Sequence, residues 1–257
     1  MKKPYLLASI STLLFGLTIF VNALANGLPI NGLSTGAVSE LYPSLFTPAG
    51  LTFSIWGIIY LFLAGFIIVH WVKADSFVVL EICRLFWLTC ILNVSWIVAW
   101  HYLFTAISVT LMLLLLLSLI QIFIRIKKVA MLSVTELIFV KLPFTIYFAW
   151  ICVATIANIS AYLVSVGWDG GLLSPVWWTF VVMGVATVLA GWITRKFNEP
   201  VFALVVIWAL FGIFWKQKDE SYISLTFGAL GYLLLLMAWV LLTFIRSRKT
   251  KQVSTRT

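Results

Sequence analysis

Eight apolar stretches, none containing Asp, Glu, Lys or Arg, leave this chain few folds to choose from. They fall near residues 5–25, 49–71, 85–104, 106–124, 143–166, 175–194, 200–215 and 222–245. A helix of roughly twenty residues crosses the hydrocarbon core of a bilayer. In lipid a backbone must satisfy its own N–H and C=O groups, so such runs fold as helices. The expectation is an all-α fold, a polytopic transmembrane helical bundle of about eight spans. Composition agrees: 63% of residues are hydrophobic and only 10% charged, which is too apolar for a water-soluble domain. The third and fourth spans meet around Thr105, a turn short enough to demand a tight antiparallel pair.

The basic residues orient the bundle. With the N-terminus inside, Lys2, Lys3, Lys73, Arg84, Arg125, Lys127, Lys128, Lys141, Arg195, Lys196, Arg246, Arg248, Lys249, Lys251 and Arg256 are all inside, 15 of the 17 Lys and Arg. Only Lys216 and Lys218 fall outside. The acids divide evenly, Asp75, Glu81, Glu136 and Glu199 inside against Glu40, Asp169, Asp219 and Glu220 outside, and the positive-inside rule largely ignores them. The reading is a multi-pass protein of the cell (plasma or inner) membrane with both termini cytoplasmic. The net charge of +9 is then a property of inner loops, with no basic and aromatic groove for nucleic acid. Lys2-Lys3, an apolar stretch and Ala23-Leu24-Ala25 imitate a signal peptide, but the stretch is longer than the usual apolar region and is read as a retained span. The inner loop from Arg125 to Leu142 is expected to lie on anionic headgroups.

Charge-free spans argue against ion-coupled transport and against acid–base hydrolysis inside the membrane. Cys83, Cys90 and Cys152 lack metal-ligand spacing and read as core residues, and only His70 and His101 could join them. No triad, metal cluster or paired carboxylates point to an enzyme. The informative residues are aromatic. Of 13 tryptophans, Trp71, Trp87, Trp168, Trp177, Trp178, Trp192 and Trp215 sit near span ends, where indoles prefer the interface. Trp100 and Trp239 are within a turn or two of an end, whereas Trp56, Trp96, Trp150 and Trp208 are deeper. Helical spacing puts Asn93, Trp96 and Trp100 on one face, Trp56 with Tyr60 on another, and Trp150, Ala154 and Asn158 on a third, with Tyr147 one turn below. Amides in hydrocarbon need partners, so Asn93 and Asn158 should point inward, as interhelical glue or as ligand hydrogen bonds. At about 1.5 Å per residue, Trp56, Trp96 and Asn158 lie roughly 10–12 Å below the outer ends of their spans, with Tyr60 and Asn93 at about 16 Å. Three helices thus bring aromatic and amide groups to one layer, as a flat hydrophobic ligand requires. Above it runs the outer loop from Asn26 to Pro48, with turn-forming Gly27, Gly32 and Gly36 and stiffening Pro29, Pro43 and Pro48, a candidate lid.

These residues resemble the tryptophan-rich sensory protein (TspO/MBR) family, bacterial relatives of the translocator protein or peripheral benzodiazepine receptor. The second span carries a Pro-rich entry and W-G-x-x-Y at Pro48, Trp56, Gly57 and Tyr60. The third carries L-N-x-x-W at Leu92, Asn93 and Trp96, and the fifth W-x-x-x-A-T-x-x-N at Trp150, Ala154, Thr155 and Asn158. Gly50 and Ser54 stand where the family often has Trp and Pro, and Pro143 lies further from Trp150 than the usual proline. The resemblance covers roughly 1–166, a five-helix core, leaving three additional helices over 167–246 and a basic cytoplasmic tail over 247–257. It implies a bundle that binds a tetrapyrrole such as a porphyrin, or a sterol, beneath the first outer loop, and that can form homodimers in the lipid bilayer. Trp56, Tyr60, Asn93, Trp96, Tyr147, Trp150 and Asn158 are the candidate ligand-binding residues of a sensor or translocator. No cofactor is expected beyond a tetrapyrrole held as ligand. The alternatives are a transporter or permease component for small hydrophobic molecules, and a membrane enzyme modifying a lipid-soluble substrate.

Overall fold

A computed structural model describes residues 3–28, 30–168, 171–218 and 222–254, with side chains as far as residue 245. Lys2, Pro29, Asp169, Asp219, Glu220 and Arg256, and the side chains of Arg246, Arg248, Lys249 and Lys251, lie outside the described residues. All regular structure among the described residues is helical: α1 (Lys3–Gly27), α2 (Thr35–Glu40), α3 (Ile55–Val72), α4 (Phe77–His101), α5 (Thr105–Lys128), α6 (Val134–Glu136), α7 (Leu142–Ser165), α8 (Pro175–Phe197), α9 (Pro200–Gln217) and α10 (Ile223–Ser254). Among the described residues eight segments are long and apolar enough to cross a membrane, at the places the charge-free runs foretold. The protein is a multi-pass membrane helical bundle, and its chain divides into two compact units.

The first unit holds residues up to Ser44 and Ser54–Trp168. Its helices pack in a closed ring, α1 on α4, α4 on α5, α5 on α7, α7 on α3 and α3 back on α1. The ring is filled by Phe66, Phe86 and Phe144, each fully buried. Their centroids lie 5.0–5.9 Å apart in edge-to-face contacts, the arrangement the ring quadrupole favours. Gly65 lets α3 approach the π-helical turn Leu137–Lys141, since an added Cβ would collide with the Phe139 ring. The three cysteines are buried free thiols.

Two boundaries differ from the sequence expectation. Helix α4 begins at Phe77, not near 85, because its two charged residues do not stop it: Glu81 pairs with Arg125 of α5 at 2.9 Å, and Arg84 is exposed. Trp87 is therefore well inside the helix and half-buried, not at its end, and its Nε1–H donates to Ser11 of α1 at 2.8 Å. The loop expected over Arg125–Leu142 is also shorter. Helix α5 runs on to Lys128, and a capping box at Ser133 and Glu136 starts a new helical run at Val134. That run passes through the π turn into α7.

The α4–α5 hairpin is as tight as expected. Phe104 N–H donates to the Ala99 carbonyl at 2.9 Å, and Leu103 takes a left-handed backbone conformation at φ 60°. A branched side chain there costs about 1–2 kcal/mol that glycine would not. Leu103 is 39% exposed, so little packing is lost with it. Leu103→Gly is expected to stabilise the protein by about 1 kcal/mol, read as a higher thermal midpoint in detergent; a lower midpoint would show that the side chain matters more than the strain.

The second unit holds Leu45–Phe53 and the chain from 169 onward. Here α8, α9 and α10 pack pairwise. Glycines form notches for rings. A Cβ on Gly191 would sit 2.6 Å from Trp239, one on Gly184 would meet the Tyr232 hydroxyl at 3.1 Å, and one on Gly228 would strike Phe180. At Gly231 an added Cβ would meet nothing within 4 Å. Residues 45–53 lie against α9 as a strap that leads into a 3₁₀ turn (Gly50–Ser54). Ala49 N–H donates to Gly212 O at 3.0 Å, Trp208 Nε1–H to Thr52 O at 2.9 Å and Gln217 Nε2–H to Leu45 O at 3.0 Å. Trp208, a deep indole left unexplained by position, is thus a clamp on the strap.

Candidate ligand-binding site

Trp56, near the start of α3, is the hub of an aromatic cluster in the first unit. Its ring stacks on Tyr60 one turn along the same helix, with centroids at 5.6 Å and planes at 22°. Trp96 of α4 lies at 6.3 Å and 27°, close to parallel. From α7, Tyr147 and Trp150 present edges at 5.8 and 6.3 Å. Trp96, Tyr147 and Trp150 are buried, while Trp56 and Tyr60 are half-buried. Trp56 is therefore the hub ring with an open side.

Polar groups thread the same layer. Asn93, fully buried one turn before Trp96, donates from Nδ2 to the Tyr147 hydroxyl at 3.2 Å. Its Oδ1 accepts from Nδ2 of Asn22 in α1 at 2.7 Å. Both ends of the amide are thus occupied, which fixes its orientation and joins three helices. Asn22 was missed by sequence reasoning. It lies in the last turns of α1, and only its distant partner reveals what it does. Beside this layer, the buried Trp96 Nε1 and Tyr60 hydroxyl have no hydrogen-bond partner among the described residues. The Tyr60 hydroxyl lies near the Asn93 amide but outside hydrogen-bond geometry.

Of the seven residues singled out from the sequence, Trp56, Tyr60, Asn93, Trp96, Tyr147 and Trp150 are joined by these contacts. Asn158 is not among them. It exchanges hydrogen bonds with Ser108 of α5, at 3.0 and 3.1 Å, and so ties α7 to α5. Of the two roles open to it, this geometry is the interhelical one.

The loop between α1 and α3 is built down onto α4. His101 is fully buried and bonded on both ring nitrogens, Nδ1 to Ile30 O at 3.1 Å and Nε2 to Thr35 Oγ1 at 3.0 Å. A carbonyl only accepts, so Nδ1 carries the proton there. Asn31 Nδ2–H donates to the His101 carbonyl at 3.1 Å, and Trp100 Nε1–H to Thr35 O at 3.2 Å. The Tyr42 ring lies 6.2 Å from Trp100, which itself stacks on Trp96 at 6.3 Å and 19°. An unbroken run of rings, Tyr42, Trp100, Trp96 and Trp56, leads from the loop to the hub.

The family model described as TSPO-like protein matches residues 8–242. The match reaches well past 166, where the recognisable motifs end, and takes in α8, α9 and most of the membrane span of α10. The last three helices therefore fall largely inside the matched region. Comparison with curated proteins and with solved structures finds no match.

Proposed function

The chain belongs to the TSPO-like protein family, and from that premise we propose that it binds a flat hydrophobic ligand between Trp56 and Trp96. The observation that carries the reading is the pairing of two near-parallel indoles with two buried, unpartnered polar atoms beside them. A buried donor without an acceptor costs about 1–3 kcal/mol, and a ligand that supplies the acceptor recovers it. The ligand is thus planar enough to stack and carries an oxygen at its edge for Trp96 Nε1–H or the Tyr60 hydroxyl. A tetrapyrrole with carboxylate arms meets both conditions; a sterol, with a single hydroxyl and no π face, meets them less well. Trp56 swings on its open side to admit the ligand, while Asn93, held by Asn22 and Tyr147, keeps the floor of the site in place.

The run of rings to Tyr42 gives such binding a readout. A ligand that parts Trp56 from Trp96 shifts the ring on which Trp100 stacks, and with it the loop that Trp100 holds at Thr35. That favours a sensor in which the loop reports occupancy. The loop is taken to face the outer side of the cell membrane, a reading that the distribution of Lys and Arg supports.

Tryptophan fluorescence of the purified protein in nanodiscs, titrated with protoporphyrin and separately with cholesterol, tests the proposal. Saturable quenching by protoporphyrin at micromolar concentration is expected, with cholesterol weaker. Quenching that stays linear and unsaturated with tetrapyrrole would sink it. A liposome flux assay with the same porphyrin separates a sensor from a translocator.

A further inference from the structure

A second site lies at the opposite end of the first unit. The first turns of α1, the first turns of α4 and the end of α5 line an open cleft of about 530 Å³. Lys3, Arg84 and Arg125 line it together with Glu81, and Leu7 and Leu80 contribute apolar wall. Arg125 is already engaged, with Nη1 on the Glu81 carboxylate at 2.9 Å and on the Glu81 carbonyl at 3.1 Å. Lys3 and Arg84 have no acidic partner among the described residues. The cleft thus carries two uncompensated positive charges at the end of a membrane bundle, beside a mostly apolar wall.

We infer that this cleft binds the phosphodiester headgroup of an anionic phospholipid. Arg84 and Lys3 are the phosphate contacts, and Leu7 and Leu80 receive the start of an acyl chain. A guanidinium matches a phosphate in a bidentate manner and an ammonium adds a point charge, so the two together suit a phosphodiester better than a carboxylate. The volume is within the range of small-molecule sites. Basic pockets between spans at the headgroup level are favourable places for such lipids, each cation adding attraction to the anionic surface. The Glu81–Arg125 pair shapes the wall and keeps Arg125 from competing for the phosphate. This inference needs only the membrane fold and is independent of the aromatic site.

The test is native mass spectrometry of delipidated full-length protein titrated with phosphatidylglycerol, with phosphatidylcholine and with inorganic phosphate. Phosphatidylglycerol is expected to bind in preference to phosphatidylcholine. Arg84→Gln should weaken it about fivefold, and Lys3→Gln with Arg84→Gln about thirtyfold. Arg84 and Lys3 are exposed, so neither change endangers the fold. Lys128→Gln, an exposed cation at the end of α5 outside the cleft, should leave binding unchanged. Equal binding of the two lipids, or an equal loss with Lys128→Gln, would overturn the inference. So would displacement of the lipid by millimolar phosphate, which would mark a free-anion site.

Discussion

Trp56→Ala should weaken protoporphyrin binding by roughly thirtyfold, about 2 kcal/mol, while the protein stays folded. Trp56 supplies one whole face of the proposed slot, and it touches four other rings. Removing it takes away the stacking partner on the open side and leaves the ligand bounded by Trp96 alone. The fold tolerates the loss because Trp56 is only half-buried and the phenylalanine core lies on other helix turns. Trp56→Phe keeps a π face at the same place and is expected to recover most of the affinity. The measurement is the fluorescence titration in nanodiscs, with size-exclusion profiles to show that each variant is intact. An alanine variant within twofold of the native affinity would remove Trp56 from the site. A phenylalanine variant no better than alanine would show that ring size, not stacking, sets the affinity.

The eight spans were legible because charge-free runs of sufficient length have one stable structure in lipid. Helix ends were less so, and α4 shows why. Glu81 and Arg84 look like loop residues in a hydropathy reading, yet one is neutralised across the helix pair and the other reaches out to the exposed face. Arg125, 44 residues away, is not written next to Glu81. The aromatic layer was legible from helical spacing, since Trp56, Tyr60, Asn93 and Trp96 each repeat at three or four residues. What spacing alone could not decide was where an amide spends its hydrogen bonds. Asn93 and Asn158 look alike in sequence, yet one closes the aromatic layer and the other bonds Ser108. The strap at 45–53 was the least legible feature. Its partners Trp208, Gly212 and Gln217 lie some 160 residues downstream, and nothing local in LFTPAGLTF announces them.

Gly212→Ala is expected to free that strap at a cost of about 3 kcal/mol. A methyl group at this position would overlap the Thr52 hydroxyl and come within 2.9 Å of Pro48 Cβ and Thr52 Cβ. Relief by side-chain rotation is closed off. Pro48 has a ring-locked backbone, and Thr52 is buried within the 3₁₀ turn, branched at the atom that collides. The strap must therefore move off α9, and overpacking of this kind costs about 1–3 kcal/mol. With it go the bonds from Ala49 N–H to Gly212 O and from Trp208 to Thr52 O. Hydrogen exchange read by mass spectrometry on the peptide containing Ala49 and Thr52 should accelerate about a hundredfold, the local opening that such an energy implies. Gly231→Ala serves as the comparison, because a methyl group there meets nothing within 4 Å and exchange of the same peptide should stay at the native rate. Native exchange at Ala49 in the Gly212 variant would mean that α9 yields in place of the strap, and the clamp assigned to Trp208, Gly212 and Gln217 would have to be abandoned.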